Sequence, residues 1–311
     1  MDIHIGHFLT FMSVEKGASG NTVAAYKNDL QQFDSFVTSL NGNGKARDWD
    51  KAERDLIVEY LLSLRRKNYA EATVARKVAA LKSFFQFGVS EGLVGDNPTS
   101  ALDAPKVKKR LPRTLTSDDV ERLLAAPTHA AGPKSLRDIA LLELLYATGV
   151  RVTELVMLEV DDVNLAAGIV RVRHGKGGKE RIIPIHERAV QTLRDYIEKS
   201  RPVLVRSNAD TSALFLNHRG QRLTRQGAWL IIKDYAQAAG IQTSVTPHML
   251  RHSFATHMLE SQKATLVDVQ HFLGHANIST TQIYTQVTGE HKRRVYDEAH
   301  PRAKEPTAET T

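Results

Sequence analysis

His248 and Arg251 stand three residues apart in the run Thr246-Pro247-His248-Met249-Leu250-Arg251-His252. Thr246 is a good helix N-cap and Pro247 suits the first helical position, so the spacing predicts a helix with both side chains on one face, about a turn apart. A helix N-terminus favours negative charge, and an arginine fork grips phosphate oxygens in pairs. An anion between the two, a phosphate above all, is the chemistry this pair predicts. Downstream, Leu273-Gly274-His275 precedes Ser279-Thr280-Thr281-Gln282-Ile283-Tyr284, so the stretch reads as a phosphate-handling site ending in a tyrosine. Taken singly, a His-x-x-Arg is most often a solvated face and a lone tyrosine a packing residue; the company they keep changes the odds.

That company lies upstream. The apolar run Leu136–Thr148 predicts a buried helix stopped by Gly149, and Arg151 follows at once, at the edge of the core. Glu154, three residues on, is placed to hold the Arg151 guanidinium. Alternation in 168–173 and again in 181–185 predicts a hairpin, with Lys176 of Gly175-Lys176-Gly177-Gly178 at its tip. This is no P-loop, because the Gly-x-x-x-x-Gly-Lys-Ser/Thr pattern is missing. His248/His252 and His271/His275 are i, i+4 pairs with zinc-ligand spacing, so a metal-dependent hydrolase stays open. Against it, Arg251 lies inside the first pair and no His-Glu-x-x-His occurs.

The elements that position these residues fall into two domains, as 311 residues predict. Residues 1–104 read as four helices: one around Phe8–Met12, one opened by Asn21-Thr22, and two at about 52–67 and 71–91, with Asn41–Gly44 a loop. Residues 105–113 are a basic linker and 114–300 a mixed α/β domain, with helices near 189–200, 225–239, 247–260, 266–273 and 288–299. Residues 301–311 are expected to be a flexible tail. The fold class is therefore mainly α with a small β-sheet.

Charge is distributed unevenly. Residues 1–105 hold 12 Lys and Arg against 13 Asp and Glu, net −1, so residues 106–311 carry +8. Lys106, Lys108, Lys109, Arg110 and Arg113 form a run with no acid between them, which suits either a solvated spacer or a segment along a phosphate backbone. The absence of cysteine excludes disulfides and thiol catalysis. No apolar run is long enough for a membrane span; the longest, 139–150, is interrupted by Glu143. With no signal-peptide build at the start, the expected location is the cytoplasm.

Assembled, the set is Arg151, Lys176, His248, Arg251, His275 and Tyr284. Over essentially the whole chain this resembles the tyrosine recombinase (phage integrase-like) family. The motifs are Ala147-Thr148-Gly149-Val150-Arg151-Val152-Thr153-Glu154-Leu155, His174 to Arg181, His248-Met249-Leu250-Arg251-His252 onward to His257, Leu273-Gly274-His275, and Thr280 to Thr285. Within the family it is most similar to the XerC/XerD group, on the Lys-Arg-Leu-Pro linker (Lys109 to Pro112) and the closing Tyr296–Ala303. His271, Gln286 and Ser261-Gln262-Lys263 depart from the group's usual residues and bear on partner or site preference.

The resemblance implies a SAM-like core-binding helical bundle and a catalytic domain that close on double-stranded DNA. It implies Tyr284 as nucleophile through a 3′-phosphotyrosyl link, Arg151 and Arg251 clamping the phosphate in place of a metal, and no cofactor. His248 would take the phenolic proton, Lys176 would protonate the leaving oxygen and His275 would hydrogen-bond the phosphate. It further implies a homo- or hetero-tetramer on two DNA sites, held through the C-terminal helix, resolution of chromosome or plasmid dimers, and a septal DNA translocase as accessory partner. A mobile-element integrase, a type IB topoisomerase and a non-catalytic DNA-binding module are the alternatives.

Overall fold

The computed structural model describes residues 2–40, 54–102, 114–129, 132–173, 180–205, 212–274 and 289–303. The chain divides into two compact units, Met1–Arg110 and Leu111–Thr311.

In the first unit, helices α1 (Asp2–Val14), α2 (Gly20–Leu40), α3 (Arg54–Arg66) and α4 (Glu71–Ser90) share one core. Leu30, Phe33 and Val37 on α2, and Val74, Val78, Leu81 and Phe85 on α4, repeat at helical spacing and are buried. Aromatic contacts tie the bundle together, Phe8 edge-on to Phe84 and Phe33 edge-on to Tyr60, with centroids 5.5 and 5.0 Å apart. One ion pair is buried with them: Lys77 Nζ donates to Asp29 Oδ1 at 2.7 Å. The expected Asn41–Gly44 loop lies outside the described residues.

The second unit opens with α5 (Ser117–Ala125), capped as its sequence predicts by Thr116, whose hydroxyl accepts the Asp119 N–H at 3.1 Å. The buried helix α6 (Pro133–Thr148) ends on Gly149 at φ +58°. Next come α7 (Val152–Met157) and strands β1 (Val163–Asn164), β2 (Ile169–Val172) and β3 (Arg181–Pro184), an antiparallel sheet in the order β1-β2-β3. Val170 pairs with Ile183 and Val172 with Arg181, which confirms the two long strands of the hairpin; its tip, with Lys176, is outside the described residues. Neither α7 nor β1 was expected, because six and two residues are too few for periodicity to register.

Beyond the sheet lie α8 (Glu187–Asp195), which continues through a π turn at Tyr196–Ser200, and α9 (Arg201–Leu204). They are followed by α10 (Arg225–Ala238), α11 (Pro247–Glu260), α12 (Leu266–Leu273) and α13 (Gly289–Ala299). Helix α11 also fixes the chain where it enters the unit. The Leu115 N–H donates to Ser253 Oγ at 2.8 Å, and the Leu115 carbonyl lies 3.0 Å from His257 Nε2.

The C-terminal helix corrects one expectation. Val295, Tyr296 and Ala299 of α13 lie in the core of their own unit, where the sequence predicts a stripe left for a neighbouring subunit. Tyr296 is fully buried, donates its hydroxyl to the Ala147 carbonyl at 2.8 Å and stacks on His300 with centroids 4.9 Å apart. Arg302 then reaches back to Glu143 of α6, through Nε to Oε1 at 2.8 Å and Nη2 to Oε2 at 3.1 Å, and also pairs with Glu121. Chain docked on the core therefore runs to Ala303, past the expected boundary at residue 300. Tyr296→Ala should cost about 3–5 kcal/mol, as for other large core truncations, and Tyr296→Phe about 1 kcal/mol for the lost hydrogen bond. Urea unfolding of both variants checks this; a free or subunit-bridging helix would leave the isolated protein unchanged.

The same cluster sets a pH dependence. His186 Nε2 lies 3.4 Å from Glu143 Oε1, yet burial, with the charges of Arg302, Arg188 and Arg293, pushes His186 down to about 3. It is neutral at pH 7, and the contact is not an ion pair. A histidine lowered on folding contributes stability that is full above its unfolded pKa of about 6.5 and is lost as pH falls toward the folded value. His257 and His300 are lowered in the same sense, chiefly by burial, while Glu143, raised by burial, offsets part of the effect. Stability should decline as pH falls below about 6.5. His186→Asn keeps an acceptor for the Ala189 N–H and should show a shallower decline between pH 7 and 5 in urea unfolding.

Candidate active site

Two arginines meet where α6, α7, α11 and α12 converge. Arg251 starts from the first turns of α11, whose N-cap Thr246 accepts the Met249 N–H at 3.2 Å and whose first residue is Pro247. It is only 6% exposed. Its guanidinium donates Nη1 to the Gly149 carbonyl and Nη2 to the Leu273 carbonyl, both at 2.7 Å. These acceptors lie at the C-terminal ends of α6 and α12, where carbonyls lack helical partners and carry the negative end of the helix dipole. Burial, with the charges of Arg151 and Arg181, lowers Arg251 to about 10, which leaves it protonated at neutral pH.

Arg151 sits at the N-cap of α7, its side chain 34% exposed. Glu154, at the third position of that helix, accepts the Arg151 N–H at 2.8 Å and Arg151 Nη1 at 3.0 Å, so the brace expected from the i, i+3 spacing is present. Burial alone would raise Glu154, but the hydrogen bonds and charge of Arg181, with those of Arg151, hold it below the ordinary carboxylate value. Arg181 completes the cluster, and sequence reasoning gave it no part of its own. It donates Nη1 and Nη2 to Glu154 Oε1 and Oε2 at 3.1 and 2.8 Å, and Nε to the Phe272 carbonyl at 2.9 Å. The strand alternation held the signal, since it puts Arg181 on the face of the buried Ile183 and Ile185.

Two glycines make the convergence possible. A Cβ at Gly149 would lie 2.4 Å from Phe254 Cδ1, and one at Gly274 2.9 Å from Arg181 Nη1; both residues have positive φ. His248 is exposed at the start of α11, one turn from Arg251. Lys176, His275 and Tyr284 lie outside the described residues, as do Lys106, Lys108, Lys109, Arg110 and Arg113. The described chain resumes four residues after Lys176, at Glu180, and stops one residue before His275, at Gly274. Among the described residues no three His, Asp or Glu side chains are grouped to hold a metal ion, and no helix is long and apolar enough to cross a membrane.

The arrangement is fixed positive charge on one half-buried and one buried guanidinium, suited to a phosphate. Comparison with known proteins settles its kind. Residues 113–291 match the model of the phage integrase family, and residues 5–92 that of the phage integrase N-terminal SAM-like domain. The chain belongs to the phage integrase family. It is 48% identical over 302 residues to tyrosine recombinase XerC of Herpetosiphon aurantiacus, covering 97% of this chain and 96% of that protein. With tyrosine recombinase XerD of Listeria innocua it shares 46% over 299 residues, covering 96% and 99%.

Solved structures show the fold. The XerH site-specific recombinase bound to difH substrate in a pre-cleavage complex aligns with TM-score 0.66 at 22% identity, covering 93% of this chain and 92% of that one. A lambda integrase dimer bound to a COC′ core site aligns with TM-score 0.65 at 18% identity, covering 93% and 99%. The activity is that of a site-specific tyrosine recombinase of the Xer type, which cuts and rejoins DNA strands by transesterification.

Because the Gly149 carbonyl orients Arg251, Gly149→Ala is expected to displace Phe254, destabilise the unit by about 1–3 kcal/mol through overpacking, and slow strand cleavage. Thermal melting together with a single-turnover cleavage assay checks both effects.

Proposed function

We propose that Tyr284 attacks the scissile phosphate, forming a 3′-phosphotyrosyl link that stores the bond energy for rejoining, while Arg151 and Arg251 grip the two non-bridging oxygens. The observation that carries the reading is the fixing of both guanidiniums, Arg251 by two carbonyls and Arg151 by Glu154. Fixed cations aimed at the phosphate lower the barrier because they need no reorganisation as charge develops, the role a metal ion has in many nucleases. A phenol with an ordinary pKa of about 10 needs a proton acceptor at neutral pH, and His248, exposed one turn from Arg251, takes that part. Lys176 protonates the leaving 5′ oxygen and His275 hydrogen-bonds the phosphate.

The substrate is double-stranded DNA, with residues 1–104 as its core-binding domain, the chain from 114 to the docked Ala303 as the catalytic domain, and the basic residues Lys106, Lys108, Lys109, Arg110 and Arg113 along the phosphate backbone. The Xer kinship supports a cytoplasmic role in resolving chromosome or plasmid dimers, by four recombinase subunits on two sites, with a septal DNA translocase as accessory partner. A lambda integrase tetramer bound to a Holliday junction has the same fold.

Tyr284→Phe removes one hydroxyl and no charge. It should abolish the covalent protein–DNA adduct on a nicked site while leaving DNA affinity nearly intact, as read by denaturing gel and by gel shift. An adduct that persists would remove Tyr284 from the nucleophile's place.

A further inference from the structure

Glu154 is a buried carboxylate, its side chain 4% exposed, between two guanidiniums. Arg181 covers both of its oxygens and is itself 10% exposed, whereas Arg151 gives it one nitrogen and keeps a third of its side chain open. Two opposite charges about 3 Å apart act on a third charge several ångströms away as a dipole, because their Coulomb contributions nearly cancel there. A carboxylate paired with Arg151 alone would therefore fix the direction of that arginine and at the same time cancel its attraction for a phosphate. Arg181 supplies the missing positive charge, and the three groups together carry +1. Its third hydrogen bond, to the Phe272 carbonyl, holds it in place, and Gly274 leaves it the room.

We infer that Arg181 is a positioning residue that neutralises Glu154, so that Glu154 aims Arg151 without spending its charge. The inference rests on the reading of Arg151 and Arg251 as the phosphate clamp. Arg181 also joins three parts of the site: it begins the strand after the Lys176 hairpin, binds the brace of Arg151, and holds the end of the helix that precedes His275.

The test is single-turnover cleavage of a nicked duplex site by the full chain, with DNA affinity and melting temperature measured alongside. Arg181→Gln should slow cleavage about 10–100-fold, the usual cost of losing a residue that orients a reacting group, with affinity changed less than about twofold. Adding Glu154→Gln to Arg181→Gln removes the stranded carboxylate and should make cleavage faster than in Arg181→Gln alone. Arg181→Lys keeps the charge, strands no carboxylate and should stay closer to the unmodified protein than to Arg181→Gln. A purely structural brace predicts the reverse, a double variant no faster than the single and a lysine as poor as glutamine. Either result overturns the inference, as does an unchanged rate for Arg181→Gln. Should Arg181→Gln not fold, the lysine and double variants decide the matter, each compared with Arg151→Gln. Full cleavage by Arg151→Gln would instead remove the clamp reading itself.

Discussion

The catalytic unit depends on one buried guanidinium spanning the ends of two helices. Arg251 holds the Gly149 and Leu273 carbonyls, so the stop of α6 and the stop of α12 are fixed relative to α11 by two charge-assisted hydrogen bonds. Removing a charge from water is costly unless such partners meet it, and here the partners are carbonyls that helix geometry had left unpaired. Arg151, two residues past Gly149, and the segment following Leu273 inherit their starting positions from this junction. The αL conformation of Gly149 lets the carbonyl turn toward Arg251, and the ring of Phe254 packs where a side chain on that residue would be.

On the far side of α6 a second polar cluster does a different job. Glu143 interrupts an otherwise apolar helix, and its carboxylate is met by Arg302 from the C-terminal segment. Breaking such a buried pair strands a charge, which makes the docking of that segment specific even if the pair adds little net stability. Tyr296 adds its hydrogen bond to the Ala147 carbonyl, two residues before the same Gly149 stop. Helix α6 thus carries the C-terminal segment along its length and the catalytic junction at its end.

Much of this was legible in the sequence, and what was not has identifiable reasons. The Arg151–Glu154 brace, the Thr246 cap, the hairpin strands and the bundle helices follow from local spacing, and the structure has them. Arg181 was masked by its strand: an arginine at the end of a hairpin reads as solvated unless the alternation is followed through to Ile183 and Ile185. The cis packing of the C-terminal helix was not legible because Val295 and Ala299 make a meagre stripe, whereas Tyr296 is fully buried against partners far back in the chain, the Ala147 carbonyl of α6 and Phe272 of α12. Glu143 was noted only as a break in an apolar run, although an acid in that setting needs a cation, and Arg302 was available.

The clamp on Leu115 has a mechanical consequence. The first described residues after the basic segment are tied, through both main-chain polar groups of Leu115, to Ser253 and His257. Those residues lie on α11, Ser253 two residues beyond Arg251 and His257 six. A pull on the chain at Thr114 is therefore borne first by the helix that carries Arg251, as load on a rope is borne first by the cleat. Tension enters on the same continuous helix, α11, that carries His248 and Arg251.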